Sequence, residues 1–183
     1  MTREEAYNLV VQSTKNRNLV KHMLAVEAGM RALAERLGEE PDIWGLAGLL
    51  HDLDYEETKN NFPRHGFVTR EKLLPLGVDE KILDAIVSHA GHPEHFPRTP
   101  MEIAIYSVDP LTGLIVASAL MHPTKRLKGV TTEFILKRFK EKRFAAGANR
   151  EQIRYCEKLG LSLKEFIEIV LNGMKGVSDE LEL

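Results

Sequence analysis

Thr99-Pro100-Met101-Glu102 stands directly before a mostly apolar run that continues to Ala119. A threonine cap, proline at the first helical position and glutamate at the third are a strong helix start. The run it opens, MEIAIYSVDPLTGLIVASA, is far longer than a strand. A helix this apolar must be covered on most of its sides, and in a small chain the natural cover is other helices.

The rest of the chain supplies them. Thr2 can cap a first helix reaching about Thr14. Asn18 can cap a second, on which His22, Val26, Met30, Leu33 and Leu37 recur at spacings of three and four, and Gly38 ends it. Pro41 opens a third, carrying Ile43, Trp44, Leu46, Leu49, Leu50 and Leu53. DYEETKNNFPR, from Asp54 to Arg64, reads as loop, and a short helix follows from about His65 to Leu74. From Asp79 the pattern Ile82, Leu83, Ile86, Val87 leads to His89, and GHPEHFPR, with two prolines, is loop. Asn149 with Gln152, and Ser162 with Glu165, fit two more caps, for helices to about Lys158 and Gly176. Alternation of strand type is missing almost everywhere. The expectation is an all-α chain.

At 183 residues, 43% apolar and 28% charged, the chain fits one soluble domain with a sizeable core. A net charge of −2 favours neither nucleic acid nor an anionic membrane, and neither is expected as a partner. The single cysteine, Cys156, excludes an internal disulfide and suits a reducing compartment. MTREEAYNLVVQSTKNRN has no signal-peptide core, and no stretch reads as the ~20 apolar residues of a membrane span. A cytoplasmic location is expected.

Three helices nevertheless aim polar groups inward. His22 lies on the apolar stripe of its helix. GLAGLLHDLDYEE, from Gly45 to Glu57, runs an apolar face straight into His51-Asp52. Asp109 sits within the long apolar helix, one residue before Pro110. Burying such groups without partners costs a few kcal/mol each, roughly. Imidazole and carboxylate are standard ligands for zinc, iron, manganese, nickel and cobalt, so a shared divalent cation explains their burial. A metal-free network of His–Asp hydrogen bonds is the competing explanation. Pro110 should bend its helix, leave the Tyr106 carbonyl without its usual partner, and let Asp109 lean inward.

A histidine on one helix, His-Asp at the end of another and a later aspartate resemble the HD superfamily of metal-dependent phosphohydrolases. His22, His51-Asp52 and Asp109 match in order and helical placement, and the resemblance covers about Asn18 to Ala119. Within the superfamily the chain is most similar to small stand-alone proteins of the HDIG type. The implied architecture is a single HD-domain helical bundle spanning 1–183, with an HD core of about 18–120 and a C-terminal helical extension of about 130–183. The resemblance implies that His22, His51, Asp52 and Asp109 hold one metal. Two-metal members add histidines between His-Asp and the last aspartate, and His65 and His89 stand in the right order here. An adjacent histidine pair is the common pattern; Ala90 follows His89, and His92 is the substitute. The family's glycine and lysine after His-Asp are replaced by Asp54 and Tyr55.

The implied reaction is attack of a metal-activated hydroxide on phosphorus, on a nucleotide or other small phosphate ester. Asp52 would reach toward both metals. Asp54 and Glu56 are candidates for general acid or base work, Asp54 being favoured if the helix ends at Asp52. Arg64, Lys125 and Arg126, with Lys128 nearby, are candidate phosphate contacts. Lys137–Arg143 reads as an amphipathic surface helix, and Cys156 as a small core residue. Two other readings of the same ligands are a di-iron oxygenase and a non-catalytic nucleotide-binding regulatory module. Substrate identity and self-association into homo-oligomers are not legible.

Overall fold

A computed structural model describes residues 1–183 and contains helices and turns but no strand. The helices are α1 (Arg3–Ser13), α2 (Arg17–Leu37), α3 (Pro41–Leu50), α4 (Tyr55–Thr58), α5 (Phe67–Leu73), α6 (Glu80–His89), α7 (Pro100–Met121), α8 (Thr132–Lys140), α9 (Arg150–Arg154), α10 (Leu163–Gly176) and α11 (Ser178–Leu181). The all-α expectation holds.

Local capping decides most of the starts. Thr2 with Glu5, Thr99 with Glu102 and Ser162 with Glu165 form complete capping boxes. Asp79 caps α6. The start of α2 differs from the expected one by two residues: Asn16 is the cap, and its side chain accepts from the amide of Asn18. The presumed loop after Asp54 contains α4 and a 3₁₀ turn over Phe62–Arg64. The short helix after it is trimmed to Phe67–Leu73.

α2 lies at the centre. It packs on α3, α7 and α10, so its buried face is wide. α3 approaches so closely that a Cβ at Gly48 would stand 2.9 Å from backbone atoms of Glu27; only glycine fits that contact. One hydrophobic cluster runs from Ala6 to Leu181 and includes 43 buried residues, among them Phe166, Ile167 and Val170 of α10. The C-terminal helices therefore share the core of the helices that precede them.

α7 is 22 residues long and apolar enough to pass as a membrane span by length and composition, contrary to the sequence reading. In the fold it is a core helix: Ile103, Ala104, Ile105, Val108, Leu111, Leu114 and Ile115 are buried against protein. The helix continues through Pro110. Ile135 and Phe139 form the buried face of α8, as the amphipathic reading requires. Cys156 is fully buried, and burial pushes its thiol up to about 12.

Candidate metal centre

The N-terminal part of α2, the end of α3, the turn before α5, the end of α6 and the middle of α7 bring His22, Asp52, His65, His89 and Asp109 to the floor of a cavity of about 510 Å³, with His51 buried against them. His22 projects from α2. His51 and Asp52 lie where α3 gives way to turns, so consecutive residues both point inward. His65 immediately precedes Gly66, whose φ of 79° redirects the chain into α5. A Cβ there would stand 3.1 Å from the Ile86 carbonyl and from Val87 Cα, so the left-handed turn also packs tightly on α6. His89 ends α6, and Asp109 sits in mid-α7.

The contacts fall into two groups that meet at Asp52. In one, His22 Nε2 lies 3.2 Å from His51 Nε2, 3.1 Å from Asp109 Oδ1 and 3.6 Å from Asp52 Oδ2. His51 Nε2 is also 3.6 Å from Asp52 Oδ2. In the other, His65 Nε2 lies 3.0 Å from His89 Nε2 and 3.2 Å from Asp52 Oδ1, with His89 Nε2 3.5 Å from the same oxygen. One carboxylate thus offers one oxygen to each group.

Behind every inward Nε2, the ring's Nδ1 has an acceptor. His51 Nδ1–H donates to the Gly48 carbonyl at 2.8 Å, and His89 Nδ1–H to the Ile86 carbonyl. His65 Nδ1–H donates to Asp54 Oδ1 at 2.8 Å. His22 Nδ1–H meets the Thr112 hydroxyl at 3.3 Å, whose own hydrogen goes to the Asp109 carbonyl. In the neutral form of each ring this arrangement keeps the proton on Nδ1 and a lone pair on Nε2. Two such lone pairs then face each other at 3.2 Å in one group and 3.0 Å in the other. Neutral imidazoles repel in that geometry unless a proton or a cation stands between them. The donor set of nitrogens and carboxylate oxygens fits a divalent transition metal.

The electrostatics agree. Burial pushes His51 down to about 4, so it is neutral near pH 7. Burial would also lower His65, but hydrogen bonds to Asp52 and Asp54 outweigh it and hold the ring up at about 9 in the metal-free chain. His22 is raised despite burial by Asp109. Burial would raise Asp52 and Asp109, but the surrounding imidazoles hold both below the usual carboxylate range.

Several expected residues are placed elsewhere. Asp54 is fully buried and does not line the cavity; its oxygens accept from His65 Nδ1, the amides of Gly66 and Thr69, and the Thr58 hydroxyl. Its acceptors are taken by these donors, and it holds His65 from behind. Glu56 does line the cavity, but Oε2 accepts from the Lys15 amide and Oε1 from the Asn16 amide, both at 3.0 Å. Those bonds hold its carboxyl below the usual range, so it fastens the wall to the start of α2 and is a poor proton donor near neutrality. His92 does not replace the missing second histidine of a pair. Its Nε2 donates to the His65 carbonyl at 2.8 Å, and its ring lies between Phe62 and Phe67. Arg64 pairs with Glu71 on the surface, and Lys125 and Arg126 lie in the turn after α7; none lines the cavity. The lining cation is Lys59, which sequence reading missed together with Asn16, Asn18 and Gln152. Thr58 and Thr112, the hydroxyls behind His65 and His22, were missed too; Thr112 stands three residues after Asp109, one turn along the same helix.

The model of the HD domain matches residues 19–114. The chain is 29% identical over 182 residues to proteins named ribonuclease Y from Thermotoga petrophila and Thermotoga maritima, and 24% identical over 177 residues to that from Sulfurovum. Each match covers 95% of this chain and 34% of the relative, so the chain spans about a third of the length of these proteins. No solved structure matches. The family match takes in more than half of the chain and every histidine and aspartate of the cavity floor: this chain belongs to the HD domain family.

Proposed function

We propose that the chain is a metal-dependent phosphohydrolase acting on a nucleotide or other small phosphate ester. The observation that carries this reading is the bridging position of Asp52 between two histidine pairs whose Nε2 lone pairs converge. His22, His51, Asp52 and Asp109 would hold one divalent cation; His65, His89 and Asp52 would hold a second. Cations held there supply Lewis-acid charge and lower the pKa of coordinated water toward neutrality.

The protein's own part is to bind and orient. Lys59 offers a positive charge on the cavity wall, and Asn16 and Asn18 offer amides. These suit the non-bridging oxygens of a phosphate. Tyr55 and Phe62 also line the cavity, are 41% and 52% exposed, and pack at the His65 side, giving an apolar surface for the rest of the substrate. A cavity of about 510 Å³ is of the usual size for a small-molecule site. The HD core, about 18–120, and the C-terminal segment, about 130–183, are taken as one working unit, because Gln152 reaches the cavity from the latter.

A second reading rests on the relatives. Proteins named as ribonucleases match almost the whole chain, which favours a phosphodiester in RNA over the expectation of no nucleic-acid partner. Protein loaded with manganese, nickel, cobalt or anaerobic iron should be offered nucleoside mono-, di- and triphosphates, dinucleotides, short RNA and simple phosphoesters. Hydrolysis of one class, lost in Asp52→Asn, is the expected result. No turnover of any ester with any metal would overturn the proposal.

A further inference from the structure

Pro110 has no N–H, so the Tyr106 carbonyl one turn earlier lacks its helical partner. The structure supplies a replacement from outside the matched HD segment: Gln152 Nε2 donates to the Tyr106 carbonyl at 2.8 Å. The contact joins residues 46 apart in sequence. It comes at the expense of a local bond. Asn149 caps α9 by accepting from the amides of Glu151 and Gln152, and in a complete capping box the Gln152 side chain would reach back to that cap. Here it turns to α7 instead. Its bond to Tyr106 is the side chain's hydrogen bond within the chain, and the residue lines the cavity beside Asp109.

We infer that Gln152 is a positioning residue of the metal centre: it takes the place of the backbone donor that Pro110 removes and thereby holds the turn of α7 that carries Asp109. The inference rests on the proposed metal centre for its consequence. The tether itself is a property of the metal-free chain. Without it, a half-buried carbonyl is left unpaired, and the turn from Tyr106 to Asp109 loses its fixed place over His22. Asp109 Oδ1 stands 3.1 Å from His22 Nε2, so a small movement of this turn separates two groups that must act together.

The test uses Gln152→Met, which keeps length and removes the donor, alone and in Pro110→Ala. The alanine amide restores a helical donor to the Tyr106 carbonyl, so the tether becomes redundant. Two quantities are read: hydrogen exchange of the Ile105–Leu111 amides without metal, and manganese affinity by calorimetry. Gln152→Met should speed exchange in that turn and weaken manganese binding about tenfold, the scale of lost outer contacts at metal sites. In the Pro110→Ala background the same substitution should change both by much less, since the two residues serve one carbonyl. Equal losses in both backgrounds, or no change in exchange, would overturn the inference. Unchanged exchange with parental metal binding would condemn the tether and spare the metal centre. Faster exchange in a parent that binds no manganese would do the reverse.

Discussion

Asp54→Asn should remove one metal position without unfolding the protein. In the parent, Asp54 Oδ2 accepts from the amides of Gly66 at 2.8 Å and Thr69 at 3.0 Å, and Oδ1 accepts from His65 Nδ1 at 2.8 Å. Asparagine is nearly isosteric. Two backbone donors oblige its oxygen to stay on the Gly66 and Thr69 side, which turns its NH₂ toward His65. A donor now faces a donor, and the imidazole proton moves to Nε2, where Asp52 Oδ1 waits at 3.2 Å. The Nε2 lone pair that would bind metal is gone. Replacing one charge-assisted hydrogen bond by a neutral one costs roughly 1–2 kcal/mol of stability, which a folded domain tolerates. Affinity at the His65–His89 position should fall by about 10- to 100-fold, the usual cost of losing an orienting partner. The His22–His51–Asp109 position should be unaffected, because its Nδ1 partners are Thr112 and Gly48. Manganese titration by calorimetry reads the affinities, and ¹⁵N imidazole shifts of the metal-free protein, recorded above pH 9 where the parent's His65 is neutral, read the tautomer. Two sites of parental affinity with the proton still on Nδ1 would refute the reasoning.

The central ligands give a harsher result: His51→Ala or Asp52→Ala should abolish hydrolysis and remove most bound metal, measured by mass spectrometry of the purified protein. His65 sets a pH dependence. Its pKa is raised from about 6.5 unfolded to about 9 in the metal-free fold, so its stabilising contribution, at most about 3 kcal/mol, is complete below pH 6.5 and lost as pH rises through 9. Melting of the metal-free protein should therefore weaken across that window, while manganese binding should release a proton and strengthen by up to about tenfold per pH unit; flat profiles would contradict both. Gly66→Ala should cost more than about 1–2 kcal/mol, because φ is 79° and the new Cβ would crowd the Ile86 carbonyl. Urea unfolding checks this value, and a neutral result would mean that the turn relaxes freely.

Features set by neighbours in sequence were legible. The Thr99 and Ser162 boxes need only residues three apart, and each forms as read; Thr2, read as a cap, also closes a box with Glu5. His22, His51 and Asp109 were legible because a polar group on an apolar stripe demands an explanation wherever the helix goes. What failed depended on distant partners. Asp54 looked like a free acid because its four donors come from segments that only the fold brings round. His92 looked like a ligand by spacing, but the turn after α6 directs it to the His65 carbonyl. Arg64 stands beside His65 in sequence, and Lys125 and Arg126 lie just beyond α7, but neither position brings a side chain to the cavity, whereas Lys59 does so from a stretch with the composition of a loop. Gln152 satisfied a local pattern, which concealed its bond to Tyr106. The Asn16 and Asn18 caps are two equivalent side chains two residues apart, and periodicity alone does not choose between them.

Anomalous diffraction at the manganese edge, from crystals of protein loaded with manganese, tests the central claim most directly. Two peaks should flank the Asp52 carboxylate, one bounded by His22, His51 and Asp109, the other by His65 and His89. A single peak would remove the second position. No peak at Asp52 in protein that binds manganese elsewhere would contradict the metal centre itself.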